Sequence, residues 1–183
     1  MKALEKEPEN HRFMVTLGWV NWQKIVLRMS ENPKENIQKG LQLAKQSLSI
    51  RPDFASALSL AVSLEMMTGN HEDACKKIDK IFKNAETMFE TALGAAGAHN
   101  CGDLELAISN YEYVFNTAPH FSSWARNLYS YALVENGDFD KALKFFEAEL
   151  QKEHAFGGFS QTMYLLSAFI NKKKGLSLIH ISE

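Results

Sequence analysis

The sequence predicts an all-α protein, a right-handed α-solenoid of about four helical hairpins closed by a C-terminal capping helix. Three internal segments support this prediction, because they show the same features in the same order. Each has an apolar helical stretch, then a Gly, then four mostly polar residues, and then an Ala at which a second amphipathic stretch opens. The strict alternation of polar and apolar residues that is typical of β-strands does not compete anywhere.

The repeated segments are residues 55–74, 88–107 and 123–142. Their turn glycines are spaced 33 and 35 residues apart, and the alanines five positions later keep the same spacing: Gly69, Gly102, Gly137, Ala74, Ala107 and Ala142. A glycine can end the first helix in the left-handed conformation, and a small residue lets two helices cross closely. We expect Gly102→Val to destabilise the protein by crowding its turn.

A period of about 34 residues is that of the tetratricopeptide (TPR) hairpin, and residues 54–150 resemble TPR repeats. The second helix of the 55–74 repeat is expected to continue through Ile78, Ile81 and Phe82. Residues 13–29 and 35–50 resemble an earlier hairpin with Gly40 in the small-residue position. Their link starts later than the repeat predicts, so we expect the first helix to be extended by two turns or more.

The predicted organisation is a flexible N-terminus at residues 1–10, a TPR-like domain at 11–171 and a tail at 172–183. Residues 159–171 form the expected capping helix, because terminal repeats of a solenoid cover its apolar end. The tail is expected to be disordered or non-native, since residues 175–183 resemble translated sequencing-adapter text. In that case the natural protein continues past this point.

Composition and charge exclude several classes of function. Hydrophobic residues make up 45% and charged residues 23%, with a formal net charge of −2, as in a soluble globular protein. The sequence has no basic stripe for nucleic acid and no apolar run long enough for a membrane segment. Two cysteines, Cys75 and Cys101, cannot build a disulfide framework or a metal site, so we expect free thiols in a reducing cytoplasm.

No catalytic motif is found. The sequence lacks Gly-x-Gly-x-x-Gly, a phosphate loop, His-Glu-x-x-His and Cys-x-x-Cys, and its six histidines are scattered. His99 and Cys101 lie in one turn, whereas a Cys–His nucleophile pair normally meets across a fold. We therefore predict no enzyme activity, no catalytic residue, no metal and no cofactor.

The inner, concave surface is where the sequence predicts binding, because the first helices of stacked hairpins line it. Aligned on the turn glycines, the candidate peptide-binding residues are Trp19, Trp22, Ser59, Ser63, Phe89, His99, Trp124, Asn127 and Tyr131. The set is nearly uncharged and aromatic at both ends, which suits an extended or helical segment. The alternative that Trp22 and Trp124 pack between hairpins stays open. TPR clamps for a C-terminal carboxylate use Lys, Arg and Asn, and only Asn127 resembles that set.

A narrower resemblance rests on GWVNW at residues 18–22 and TAPHFSSW at 117–124. Both are similar to the TPR region C-terminal to bacterial class III adenylate/guanylate cyclase domains, with Ala118 for the usual Asn and Ser122 for Pro. Similar arrays follow winged-helix regulators. The resemblance implies the regulatory or interaction module of a larger signalling protein, any cyclase activity lying on sequence not present here. The alternative is a free-standing adaptor that links two partners. Either way the partner is a protein or peptide, and homo-oligomerisation stays open.

Overall fold

The structure, a computed structural model, describes Glu7 and residues 9–150. Every regular element in this part of the chain is an α-helix. The helices are α1 (His11–Val26), α2 (Pro33–Ile50), α3 (Ala55–Met67), α4 (His71–Cys75), α5 (Ile78–Asn84), α6 (Met88–Asn100), α7 (Leu104–Thr117), α8 (Ser123–Glu135) and α9 (Phe139–Leu150). The capping helix predicted at 159–171 and the tail at 172–183 lie outside the described residues.

The chain divides into two compact units, Met1–Gly102 and Asp103–Glu183, within the stretch that the sequence predicts as one repeat domain. In the first unit α1 packs on α2, and α3 packs on both of them and on α4 and α5. Helix α6 packs on α3 and α5. In the second unit α8 packs on α7 and on α9.

The turn glycines take the predicted left-handed conformation, with φ of 81° at Gly69, 82° at Gly102 and 83° at Gly137. A Cβ at Gly102 would have nothing within 4 Å. The expectation that valine crowds this turn is therefore wrong in its reason, since the backbone conformation itself disfavours a side chain. The small-residue positions are confirmed, because each of the three alanines is 0% exposed: Ala74, Ala107 and Ala142.

The extension predicted for the first helix is wrong. Helix α1 has 16 residues, only three more than the 13 of α3, α6 and α8. It ends at Val26 because Arg28 turns left-handed, with φ of 56°, and the Met29 N–H donates to the Lys24 carbonyl over 2.8 Å. The added length lies in α2 instead, which starts at Pro33 and runs for 18 residues.

Two glycines allow the first three helices to approach closely. A Cβ on Gly40 would lie 2.6 Å from Leu64 Cδ1 and 3.6 Å from the Gly18 carbonyl oxygen. Leu60 and Leu64 of α3 are 0% exposed and belong to the core cluster of the first unit. Gly40 therefore occupies the small-residue position that the sequence assigns to it.

The second helix of the 55–74 repeat is interrupted, where the sequence predicts a continuous one. Helix α4 ends at Cys75, and α5 begins at Ile78. The Lys77 N–H donates to the Ala74 carbonyl, three residues back, over 3.1 Å. The Asp73 carbonyl, which an unbroken helix would offer to that N–H, accepts the Lys77 ammonium over 2.8 Å instead.

A disulfide joins the two cysteines, so the expectation of free thiols is wrong. Cys75 is the last residue of α4, Cys101 is the C-cap of α6, and their Cα atoms are 5.7 Å apart. Because 26 positions separate them in sequence, their approach depends on how the helices pack. Both residues are half-buried.

Candidate peptide-binding surface

The first helices of the first unit lie side by side, because α3 contacts both α1 and α6. Positions 33 residues apart are equivalent in α3 and α6, since their turn glycines differ by that number. Ser63 is thus equivalent to Ala96, and Met66 to His99, and all four side chains are half-buried. We call α1, α3 and α6 the first-helix layer.

Helix α6 presents an apolar stripe to solvent. Phe89, Leu93 and Ala96 follow one another at spacings of four and three residues, which places them on one helix face. Phe89 is 46% exposed, whereas Leu93 and Ala96 are half-buried. These three residues are the α6 stripe. Beyond them, His99 is half-buried and Asn100 is exposed at the C-terminal end of the helix.

The charged residue of α6, Glu90, does not contribute to this face. It is 4% exposed, and its carboxylate accepts hydrogen bonds from the Ser56 hydroxyl over 2.7 Å and from the Glu86 N–H over 2.9 Å. In return the Thr87 hydroxyl oxygen accepts the Glu90 N–H over 3.2 Å and caps the helix. The carboxylate therefore joins α6 to α3 and leaves the outer face of α6 uncharged.

The tryptophans of α1 belong partly to the core. Trp19 and Trp22 are half-buried, meet edge to face at 5.4 Å, and pack against the core cluster that contains Leu60. The Trp19 indole nitrogen is buried and has no hydrogen-bond acceptor among the described residues. Part of each ring is thus committed to packing, as the alternative interpretation of Trp22 expected.

The two serines of α3 differ in accessibility. Ser59 is 2% exposed, and its hydroxyl donates to the Ala55 carbonyl over 2.9 Å. Its equivalent in α6, Ala92, is 0% exposed. Ser59 is therefore unavailable to a ligand, contrary to the prediction, because this position of the first helix turns into the core. Ser63 keeps an accessible side chain.

The candidates of the second unit share one face of α8. Trp124, Asn127 and Tyr131 are spaced three and four residues apart and are all half-buried. Trp124 packs edge to face on Phe121 with ring centroids 6.2 Å apart. Burial raises the pKa of the Tyr131 phenol above its ordinary value.

Sequence reasoning missed part of the accessible layer. Leu93 and Ala96 complete the α6 stripe, Met66 is the equivalent of His99, and Met67 at the end of α3 is 39% exposed. The signal was present in the repeat, because adding 33 to Ser63 gives Ala96.

Other chemistry is not assembled in the described part of the chain. Glu7 and residues 9–150 contain no group of three or more His, Cys, Asp or Glu side chains that could hold a metal ion. While the sulfur of Cys101 is bonded to Cys75, no thiol stands beside the neighbouring His99. No helix among the described residues is long and apolar enough to cross a membrane.

The structure is similar to that of YrrB, a TPR protein with an unusual peptide-binding site. The TM-score is 0.60 at 14% sequence identity, and the alignment covers 94% of this chain and 84% of that chain. No protein-family model matches the chain, and no curated protein matches it in sequence. The likeness shows the fold, an all-α solenoid of TPR-like hairpins, and the predicted fold class is confirmed.

Proposed function

We propose that this chain is a non-catalytic TPR scaffold that binds protein or peptide segments on its first-helix layer. The α6 stripe carries the proposal. A helix at the surface normally turns charged residues outward, so an exposed face without charge suits a partner that covers it. The similarity to YrrB, a TPR protein with an unusual peptide-binding site, supports the proposal.

The chemistry of the layer favours apolar anchors in the partner. The accessible residues of the neighbouring helix α3 include Ser63, Met66 and Met67, none of which carries a charge. The acidic residue of α3, Glu65, is paired with Lys77 over 2.7 Å. A segment with aromatic or aliphatic side chains at helical or alternating spacing therefore fits better than a charged tail.

The test uses a peptide that is selected from a random display library for binding to the full 183-residue chain. Phe89→Ala is expected to weaken its binding by about thirtyfold, because loss of an aromatic anchor costs about 2 kcal/mol. Tyr113→Ala is the matched control, since Tyr113 is an exposed aromatic residue, 54% exposed, on the second helix α7. Equal affinities for the Phe89 variant and the unmodified chain, measured by fluorescence anisotropy, would remove the stripe from the site.

The wider role that we propose is the interaction module of a larger cytoplasmic signalling protein such as a nucleotide cyclase. The resemblance of residues 18–22 and 117–124 to cyclase-associated TPR regions supports it. A catalytic domain encoded in the same reading frame upstream would be the expected finding, and its absence would count against the module.

A free-standing adaptor is the second candidate, and the division into two compact units favours it. Each unit carries aromatic candidates of its own, with Phe89 in the first and Trp124 in the second. An adaptor would bind two different peptides at once. Titration calorimetry in which one saturating peptide blocks the other would contradict this role.

A further inference from the structure

We propose that the Cys75–Cys101 disulfide is a reversible redox switch that interrupts the second helix of its hairpin and thereby sets the packing of α6. Its reduction would let α4 and α5 join into one helix. The effect on peptide binding rests on the proposed function, whereas the effect on the helix does not.

The interruption is not explained by a glycine or a proline in the helix. Residues 71–84 contain neither Gly nor Pro, and they match in length the 14 residues of α7, which is unbroken. Kinks normally arise at such residues or where another group enters the hydrogen-bond ladder. Two groups meet the helix at this point, the disulfide at Cys75 and the Lys77 ammonium on the Asp73 carbonyl.

The tether lies directly at the break. Cys75 is the last residue before the turn at Lys76 and Lys77, and its partner Cys101 caps α6. With the two Cα atoms held 5.7 Å apart, the end of α4 is fixed against α6 rather than free to continue into α5. The Lys77 ammonium then donates a hydrogen bond to the Asp73 carbonyl.

Close packing between α5 and α6 makes the position of α6 depend on that of α5. A Cβ on Gly97 would lie 2.6 Å from Ile78 Cδ1, and one on Gly94 would lie 2.9 Å from Phe82 Cε1. Ile78 is the first residue after the interruption and is 5% exposed. Because no free space separates the two helices here, a rotation of α5 on joining α4 must move α6 and its stripe.

The chemistry is thiol–disulfide exchange with a cellular dithiol. One thiolate of the dithiol attacks a sulfur of the pair, the S–S bond breaks, and a mixed disulfide forms. The second thiol of the dithiol then displaces the protein thiolate. Two electrons pass to Cys75 and Cys101, which take up two protons, and the dithiol leaves as its own disulfide. The same exchange in reverse restores the bond.

Accessibility, together with the cytoplasmic location proposed above, favours a switch over a permanent staple. Both cysteines are half-buried rather than enclosed, so a thiol can approach them from solvent. They are the two cysteines of the chain, so no third thiol competes for either of them. In a reducing cytoplasm, disulfides of this kind are usually transient and redox-sensing.

Amide hydrogen exchange on the full chain tests the helix. In dithiothreitol, and in the Cys75→Ser/Cys101→Ser double variant, the amides of Lys77 and Ile78 should exchange about tenfold more slowly than in the oxidised protein. Lys77→Met is the control, because it removes the bonds to Asp73 and Glu65 and keeps the disulfide. The oxidised Lys77→Met protein should keep fast exchange. Equal exchange rates in both redox states would overturn the switch. Slow exchange in oxidised Lys77→Met would also overturn it, because the lysine and not the disulfide would then cause the interruption. Faster exchange throughout the reduced protein would overturn it too, because the disulfide would then only stabilise the fold.

Binding of the display-selected peptide tests the regulation. Its dissociation constant should differ about fivefold between the oxidised chain and the double serine variant, because the stripe moves with α6. Equal constants would overturn the regulatory part. If the peptide binds neither form, the proposed function fails instead, and the exchange comparison still decides whether the helix switches.

Discussion

Arg28 occupies the left-handed conformation that three equivalent turns of the fold assign to glycine, so Arg28→Gly is expected to stabilise the first unit. Its φ is 56°, against 81° at Gly69. Both turns are closed in the same way, by an N–H that donates to the carbonyl five residues back, over 2.8 Å after Arg28 and 3.1 Å after Gly69. The two positions therefore differ in the residue and not in the turn.

The magnitude follows from two opposing terms. A residue with a Cβ costs about 1–2 kcal/mol in the left-handed region, and glycine costs roughly 0.5–1 kcal/mol in backbone entropy. Arg28→Gly should thus raise the free energy of unfolding by about 0.5–1 kcal/mol. The side chain is exposed and makes no hydrogen bond or ion pair with the described residues, so little else is lost. Gly69→Ala, with nothing within 4 Å of the new Cβ, should lower it by a similar amount.

Urea unfolding followed by tryptophan fluorescence measures both variants, because Trp19 and Trp22 lie in the same unit as the substitutions. A shift in melting temperature of about 2–4 °C per kcal/mol should accompany the change, upward for Arg28→Gly and downward for Gly69→Ala. If Arg28→Gly lowers stability while Gly69→Ala behaves as expected, strain at Arg28 is refuted.

Three further variants test the second unit. The Tyr111 hydroxyl is buried without a hydrogen-bond partner among the described residues, so Tyr111→Phe should raise stability by about 1 kcal/mol in chemical denaturation. Burial also raises the pKa of Tyr111 above 10.0, so above pH 10 the unfolded chain loses a proton that the folded one keeps. Stability should fall as pH rises beyond 10, less steeply in Tyr111→Phe. Glu149 pairs with the buried Arg126 over 2.7 Å. Glu149→Ala should lower the free energy of unfolding by about 3 kcal/mol, because it leaves the buried guanidinium without this carboxylate. The double change Arg126→Met/Glu149→Leu should lower it less, and thermal melts compare the two variants.

The hairpin register could be predicted because it depends on local signals. A glycine that must turn left-handed and an alanine at a helix crossing act through their own backbone or volume, and each is visible one repeat later. Gly69 and Ala74 therefore identified Gly102 and Ala107 as equivalents, with φ values within a degree and the same full burial.

The disulfide and the broken helix could not be predicted in this way. Cys75 and Cys101 occupy different positions in their repeats, and their approach depends on how α4, α5 and α6 each pack on α3. The length of α1 was mispredicted for a related reason. Arg28 adopts the left-handed conformation that a glycine adopts at the equivalent turns. A search for glycines then misplaces the end of α1 and assigns the added length to the wrong helix.

The candidate surface was predictable in its helices and less so in its residues. Alignment on the glycines made α3 and α6 equivalent first helices, and α3 contacts both α1 and α6. It could not separate Ser59, which turns into the core, from Ser63, which does not, because the two serines are chemically alike. Which positions of a first helix are buried depends on how the neighbouring helices pack against it.

The small side chains of α6 explain why neighbouring residues should determine its position. Its buried face consists largely of small residues, including Gly94, Ala95, Gly97 and Ala98. A helix without large buried side chains has few contacts of its own to fix its position, and large neighbours such as Ile78 fill the space against it. Glu90 holds its N-terminal end and Cys101 its C-terminal end. Release of one of two end attachments should therefore change the position of α6 more than that of a helix anchored by large apolar residues.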